Sequence, residues 1–332
     1  MKGNSVLTPI APRQSAGRGP RFDLNRWLRW ATWALVAATL VGRLGEYYFV
    51  FELVSHFVVL YCVVAVFLSA YWLFTGSRLV RITTGCLLLN SFLAAPWLVA
   101  DPPAAAQHDF RVLHANVLYT DTDMQRTIRL IGEQQPDLFV LQEMTPATIR
   151  ALVPLRSTYP FQYEIWSKGP CHILVGSRTP FSVDKQAVKT QQVIHLTTTI
   201  NGREMALVTV HPRTPVLPSW FAERNRQLAY VADLTRREPR PTLLIGDFNI
   251  SVFSPVYHRI FEEEPVSQPA LAACRKGFGI SPTWPRFFPP GMIPIDHAFV
   301  NGGLRTVRFQ PLEQPGSDHK AVVVDLKWAD RS

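Results

Sequence analysis

The 332-residue chain is 47% hydrophobic and only 18% charged, which excludes disorder as its general state and allows a sizeable core in two ordinary domains. Its net charge of +9 points at first to a nucleic-acid or anionic-membrane partner, but residues 1 to 107 hold nine bases against four acids and the remainder 25 against 21. The larger part is mildly basic rather than a polycation, and the four cysteines form no CxxC pair, which excludes a zinc finger.

Residues 1 to 26 read as a basic cytoplasmic tail, with Lys2, Arg13, Arg18, Arg21 and Arg26 against Asp23. A membrane region over residues 27 to 100 follows. The 13 uncharged residues Trp30 to Gly42 lie between Arg29 and Arg43. They make a first span of about 27 to 43 if the arginines snorkel and Trp27 and Trp30 sit at the interface. A cleaved signal peptide is the competing reading, but no Ala-x-Ala site follows at Leu44 to Tyr48. The 25 uncharged residues 53 to 77 and the 19 uncharged residues 82 to 100 are each long enough for a transmembrane helix.

The loop between these last two carries Arg78 and Arg81 with no acid, so it and the tail belong on the cytoplasmic side. Everything after Asp101 is then expected outside the cytoplasm, on the periplasmic or extracellular face of a multi-pass cell (inner) membrane protein. His56 is the main intramembrane ionisable group, too little for a transport path, and reads as an interfacial residue. The spans therefore read as an anchor.

Residues 101 to 107, with AspProProAlaAlaAla, punctuate the exit as a linker, and the pattern then changes over 108 to 332. Residues 110 to 118 read as a strand, followed by a helix with Met124, Ile128 and Ile131 on one face. Residues 137 to 142 and 172 to 178 are further strands. Val193 to Ile200 and Glu204 to Val210 flank Asn201-Gly202 as a hairpin. Phe221, Leu228, Val231 and Ala232 stripe a helix, and 242 to 247, 295 to 300 and 321 to 326 complete the strands. The mixture predicts an α/β fold of two packed sheets flanked by helices.

The informative polar residues sit just beyond apolar runs: Asn116, Glu143, His211, Asp247, Asn249, Asp296 with His297, and Asp318 with His319. Each alone reads equally well as a turn or cap, but converging strand ends place such side chains in one cleft. The strings HANVLY, LFVLQE, TVHPRTP, LIGDFN, IDHAFV and GSDHKAV, in this order, resemble the endonuclease/exonuclease/phosphatase superfamily over about residues 108 to 328. The spans before such a domain are also similar to those of bacterial membrane-bound members.

The resemblance implies a four-layered α/β sandwich and hydrolysis of phosphodiesters or phosphomonoesters with a divalent metal, Mg²⁺ or alternatively Mn²⁺. By motif position, Glu143 is implied as the principal metal carboxylate, with Asn116 and Asp318 beside it. Asp247 is implied to orient or deprotonate water, Asn249 to hold a phosphate oxygen, His319 with Asp296 to transfer a proton, and His211 to stabilise charge. The chemistry needs these types, because an anionic phosphoester repels a nucleophile until cationic groups neutralise it. Glu164 is the one candidate for a further carboxylate beside His211. His297 reads as packing, and Cys171 and Cys274 could pair only if the fold brings them together.

The reading is a membrane-anchored phosphoesterase whose partners are a phosphoester, nucleic acid or phospholipid, and the bilayer, with no obligate protein partner. A basic face from Arg213, Arg224, Arg226, Arg236, Arg237 and Arg240 would favour a nuclease. An apolar rim over 284 to 294 would favour a lipid substrate. The non-enzymatic alternative is a binding module that keeps the fold, opposed by the competent residue at every matched position.

Overall fold

The structure, a computed structural model, describes residues 23–102, 107–166, 172–263 and 270–329. Most of the basic tail, part of the 101–107 linker and Cys171 lie outside them. The first helices are α1 (Leu24–Val41), α2 (Phe49–Ser55), α3 (Val58–Phe74) and α4 (Leu79–Leu98). The expected span over 53–77 is not one helix, since α2 ends at Ser55 and α3 begins at Val58.

Glu52 and His56 explain the break: both side chains are buried against the following domain, where they find polar partners. The α1 and α2 axes differ by 118°; among the described residues α4 alone is an unbroken helix long and apolar enough to cross a membrane, while α3 is shorter. Nor is 101–107 a free tether at its start. The Asp101 amide bonds the Gly277 carbonyl at 2.8 Å.

The domain then runs β1 (Phe110–Asn116), α5 (Gln125–Gln134), β2 (Leu138–Met144), α6 (Pro146–Ala151), β3 (Phe161–Ile165), β4 (His172–Ser177), β5 (Phe181–Val183) and α7 (Lys185–Gln191). It continues β6 (Ile194–Ile200), β7 (Arg203–Thr209), α8 (Pro218–Arg237), β8 (Thr242–Asp247), a short turn α9 (Pro255–Tyr257), β9 (Ala272–Ala273), β10 (Asp296–Val300), β11 (Leu304–Leu312) and β12 (Ala321–Trp328). One sheet has the order β11-β12-β1-β2-β4-β3 and the other β5-β6-β7-β8-β10-β9. Among the described strands only the β1–β2 and β7–β8 pairs are parallel, so both sheets are mixed.

Period-two alternation sorts each strand between two cores. Val112, Val140, Leu207, Ile245, Ala298 and Val324 point between the sheets. Leu113, Phe139, Leu141 and Val323 point outward and are covered by Met124, Ile131 and Leu152. On the other outer face Val208, Leu244 and Phe299 meet Leu228, Val231 and Ala232 of α8, joined by Val58, Ala94 and Trp97 from the N-terminal helices. The N-terminal helices thus share a core with the domain. Cys274 is a free, buried thiol.

Candidate active site

The inward rows do not end where the apolar residues end. Continuing at spacing two, Phe110 and Val112 lead to His114 and Asn116, Leu138 and Val140 to Gln142, Leu207 to Thr209, Leu243 and Ile245 to Asp247, and Ala298 back to Asp296. All six of these polar side chains are buried. The site is therefore the polar end of the inter-sheet core, and the strand alternation aims its residues at one another.

Glu143 is the exception by parity. It adopts a left-handed backbone (φ 59°) where the β2–β4 register shifts between Gln142 and Met144. A β-bulge re-aims a side chain in this way, and the carboxylate turns toward Asn116, whose Nδ2 donates to Oε1 at 2.9 Å. The Tyr119 amide donates to Oε2 at 3.2 Å. His211 Nε2 lies 3.5 Å from Oε1. Burial pushes the Glu143 carboxyl up, but the His211 bond and charge, with the Asn116 and Tyr119 donors, bring it down to about 2.

Asn116 also donates from Nδ2 to Asp247 Oδ2 at 3.1 Å, while its Oδ1 accepts from the Leu118 amide at 3.1 Å. The amide thus turns its NH₂ toward the two carboxylates and its oxygen toward the Leu118 amide. Asp247 accepts the Asn249 amide at 2.9 Å on its other oxygen. Its own amide donates to Gln142 Oε1 at 2.9 Å.

His319 Nδ1 is 2.9 Å from Asp296 Oδ2, and its Nε2 is 3.7 Å from Asp247 Oδ2. Burial disfavours the imidazolium, but the two carboxylates outweigh it and raise the His319 pKa to about 10. Burial likewise raises Asp296, and the His319 charge and hydrogen bond reverse it. Asp247 stays raised, because burial and the Asp296 charge exceed what His319 and His211 return. His211 is opposed by burial and raised by Glu143 and Asp247. A carboxylate that protonates more readily than usual thus lies beside two histidines that hold their protons.

Asp318, on the loop before β12, accepts Trp284 Nε1 at 2.8 Å. With Glu143, Asp247, Asn249 and His319 it lines a cavity of about 390 Å³. The carboxylates of Glu143, Asp247 and Asp318 open into this cavity and are hard oxygen donors of the kind Mg²⁺ accepts. A second grouping, Asp247, Asp296 and His319, has ligand atoms within 4.8 Å of one another. It is wholly buried and already paired within itself. A larger recess of about 770 Å³ beside Pro96 and Trp97 lies away from these residues.

All eight candidates therefore gather at one end of the sandwich, and Glu164 does not. It lies on β3 and accepts from Trp166, just beyond that strand, and Glu143 and Asp247 are the carboxylates at His211. His297 faces outward, bonded to the Ile250 carbonyl at 2.7 Å and stacked on Phe248. Of the arginines that a basic face would use, Arg224 and Arg236 are buried, Arg237 pairs with Asp233 and Arg240 with Glu238, while Arg213 and Arg226 are exposed; among the described residues no Lys or Arg lines the 390 Å³ cavity.

Sequence reasoning missed Gln142, whose Nε2 bonds Thr209 Oγ1 at 3.2 Å and the Val210 carbonyl at 3.0 Å, tying the two sheets beneath the site. Its inward parity in β2 was the available signal. Ser317 was missed too; its hydroxyl bonds the Asn116 carbonyl at 2.7 Å and receives the His319 amide at 3.0 Å. His114, 3.6 Å from Asp296 Oδ1, is held below its ordinary pKa by burial. Leu53, His56 and Phe57 also line the cavity, which nothing in a hydropathy pattern indicates.

The model of the Endonuclease/Exonuclease/phosphatase family matches residues 111–319. No curated protein matches the chain. Among solved structures, D. rerio TDP2 complexed with single strand DNA product is 17% identical with a TM-score of 0.54, over 66% of this chain and 98% of that one. The endonuclease/exonuclease/phosphatase from Beutenbergia cavernae DSM 12333 is 19% identical with a TM-score of 0.52, over 67% and 72%. At these identities the likeness is one of fold.

Proposed function

The chain belongs to the endonuclease/exonuclease/phosphatase family of hydrolases, and from that premise we propose a membrane-held, metal-dependent phosphoesterase that acts outside the cytoplasm on a substrate with an apolar substituent. The observation that carries this is the lining of the 390 Å³ cavity. Its catalytic-type residues share the walls with Leu53, Phe57, Pro215, Val216, Trp284 and Ile293, without a Lys or Arg. A nucleic acid such as the one the D. rerio protein holds asks for basic and stacking groups along its backbone. A phospholipid asks for an apolar wall beside the phosphate site, and this cavity fits it better.

The helices support the membrane reading. The apolar window of α4 is only 17% buried within the molecule, and Phe67, Leu73, Phe74, Leu88 and Phe92 are exposed on α3 and α4. So much exposed apolar surface marks an interaction site or a membrane. Arg78 and Arg81 lie at the α3–α4 turn, and the hydroxyl of Tyr71 bonds Asn25 at the start of α1. The basic ends therefore share one side, opposite the domain, and the positive-inside rule favours a cytoplasmic N-terminus.

A divalent cation held by Glu143 and Asp318 would supply charge neutralisation at a phosphate oxygen. Asn116 keeps Glu143 oriented. Asp247, whose raised pKa suits a base near neutral pH, accepts a proton from the attacking water. Asn249 directs an amide hydrogen to a phosphate oxygen, since its Nδ2 has one bond to the Pro212 carbonyl at 3.0 Å and a second hydrogen free. His319, held protonated by Asp296, donates to the leaving oxygen, and His211 neutralises charge on the opposite side.

The test is turnover by the full-length protein in nanodiscs on phospholipids, single-stranded DNA and a bis-aryl phosphodiester, with EDTA and with Mg²⁺ or Mn²⁺ restored. Glu143→Gln should lower metal-dependent turnover by about a hundredfold or more, in line with loss of a principal electrostatic group. Turnover indifferent to both EDTA and Glu143→Gln would refute the metal assignment. A preference for DNA over phospholipid would refute the apolar substrate, and no turnover at all would favour the binding module.

A further inference from the structure

The second helix of the N-terminal region, α2, holds one acid, Glu52, in PheValPheGluLeuValSer. Its partner is Arg224, in the second turn of α8, and both side chains have 0% exposure. Arg224 Nη2 donates to Glu52 Oε2, and Ser254 Oγ donates to Oε1 at 2.8 Å. The other arm of the same guanidinium, Nη1, donates to the Asn249 carbonyl at 2.9 Å. Asn249 is in the left-handed region (φ 51°), which asparagine adopts more readily than other non-glycine residues.

A buried ion pair recovers little of its desolvation cost, so its stabilising value does not explain its presence. What this pair does uniquely is fix a forked donor against the backbone of a residue in the site. We infer that Arg224 is a positioning residue, with Glu52 of the N-terminal helix as its counter-charge, and that the pair holds Asn249 where its amide meets the phosphate. The N-terminal helices are then part of the catalytic apparatus and not only an anchor. This rests on the phosphoesterase reading, and specifically on Asn249 contacting the substrate.

Several bonds surround the same point. The Asn249 amide donates to Asp247, its Nδ2 to Pro212, and Thr214 Oγ1 donates to its Oδ1 at 3.3 Å. On the same face His56 Nδ1 is 2.9 Å from Ser251 Oγ, two residues beyond Asn249. Among the described residues only the Arg224 arm reaches the Asn249 carbonyl itself. Lysine carries the same charge but lacks the rigid fork that serves two acceptors at once.

The experiment uses the full-length protein in nanodiscs with a bis-aryl phosphodiester as probe, assayed well below each variant's melting temperature. Arg224→Lys, which retains the ion pair, should lower kcat by about tenfold to a hundredfold with KM nearly unchanged, as misplacement of a group in the site does. Glu52→Gln should do the same, and Ser254→Ala, which touches Glu52 but not Asn249, should keep wild-type kcat. In an Asn249→Ala background neither Arg224→Lys nor Glu52→Gln should cost more.

Wild-type kcat in Arg224→Lys, or full additivity with Asn249→Ala, overturns the inference while leaving the enzyme reading intact. A wild-type protein without turnover overturns both. If Glu52→Gln does not fold, Arg224→Lys carries the test alone.

Discussion

A chain that begins at His108 loses Glu52 from beside Arg224 and loses Val58, Ala94 and Trp97 from the core they share with α8. Removing the helices also opens the Arg224 site to water, which takes the place of the lost partner, so the broken ion pair adds about 1 kcal/mol at most. Val58 is fully buried and Trp97 packs edge-on against Tyr257 at 5.9 Å; uncovering their contacts costs roughly 3 kcal/mol more at the usual value per apolar side chain. The total of about 3–4 kcal/mol is a large share of the ~5–15 kcal/mol that holds a domain folded. At roughly 2–4 °C per kcal/mol for a domain of this size, the fragment should melt about 6–16 °C below the full chain.

The assay is near-UV circular dichroism on heating, comparing the fragment with the full chain in detergent. Arg224→Met supplies a second test. In the full chain it strands Glu52 and lowers Tm; in the fragment, which has no buried partner to strand, it changes Tm far less. A fragment melting within a few degrees of the full chain, or Arg224→Met lowering Tm as much in the fragment as in the full chain, would refute the reasoning.

Two further outcomes are expected. Gln142→Leu keeps the side chain's bulk but strands the Val210 carbonyl and the Asp247 amide, at about 1–3 kcal/mol each; Tm should fall and kcat with it, and an unchanged melt would show that the sheets do not depend on this bridge. The pH dependence follows from His319, whose folded pKa of about 10 lies above its ordinary 6.5. Its contribution is therefore complete below about pH 6.5 and lost as pH rises toward 10. In EDTA, His319→Gln should cost most Tm near pH 6, at ~1.4 kcal/mol per pKa unit realised, and the gap should narrow by pH 10. A gap that widens instead would mean the histidine is neutral in the fold.

The strands that carry the site were legible because they are buried on both faces. ThrLeuLeuIleGlyAsp and LeuPheValLeuGln can only be inner strands, and their polar ends fall on the same parity as the apolar residues facing the other sheet. The edge strands were not legible. β5 has three residues, β3 is largely half-buried, and β11 carries Pro311 and a register shift, so none shows a clean apolar pattern. The catalytic-type residues were found by their motifs. Those that hold them, Gln142, Ser317 and Arg224, were not, because a Gln or Ser beside a motif and an Arg on a helix ordinarily face solvent.

The α2 helix shows what a hydropathy window leaves out. Residues 53 to 77 satisfy every requirement of a span by length and charge, yet the first few belong to a helix that lies on the domain. A window sums each residue's cost of leaving water; it does not know that Glu52 and His56, at the edge of the run, have Arg224 and Ser251 to meet. Once those bonds form, Leu53 and Phe57 are carried to the cavity wall, and α3 starts beside the Pro289–Gly291 turn of the rim. The cavity thus lies at the level where the helices leave the domain. If the helices span a membrane, that level is the headgroup layer, where a lipid's phosphoester and the first of its apolar carbons are found together.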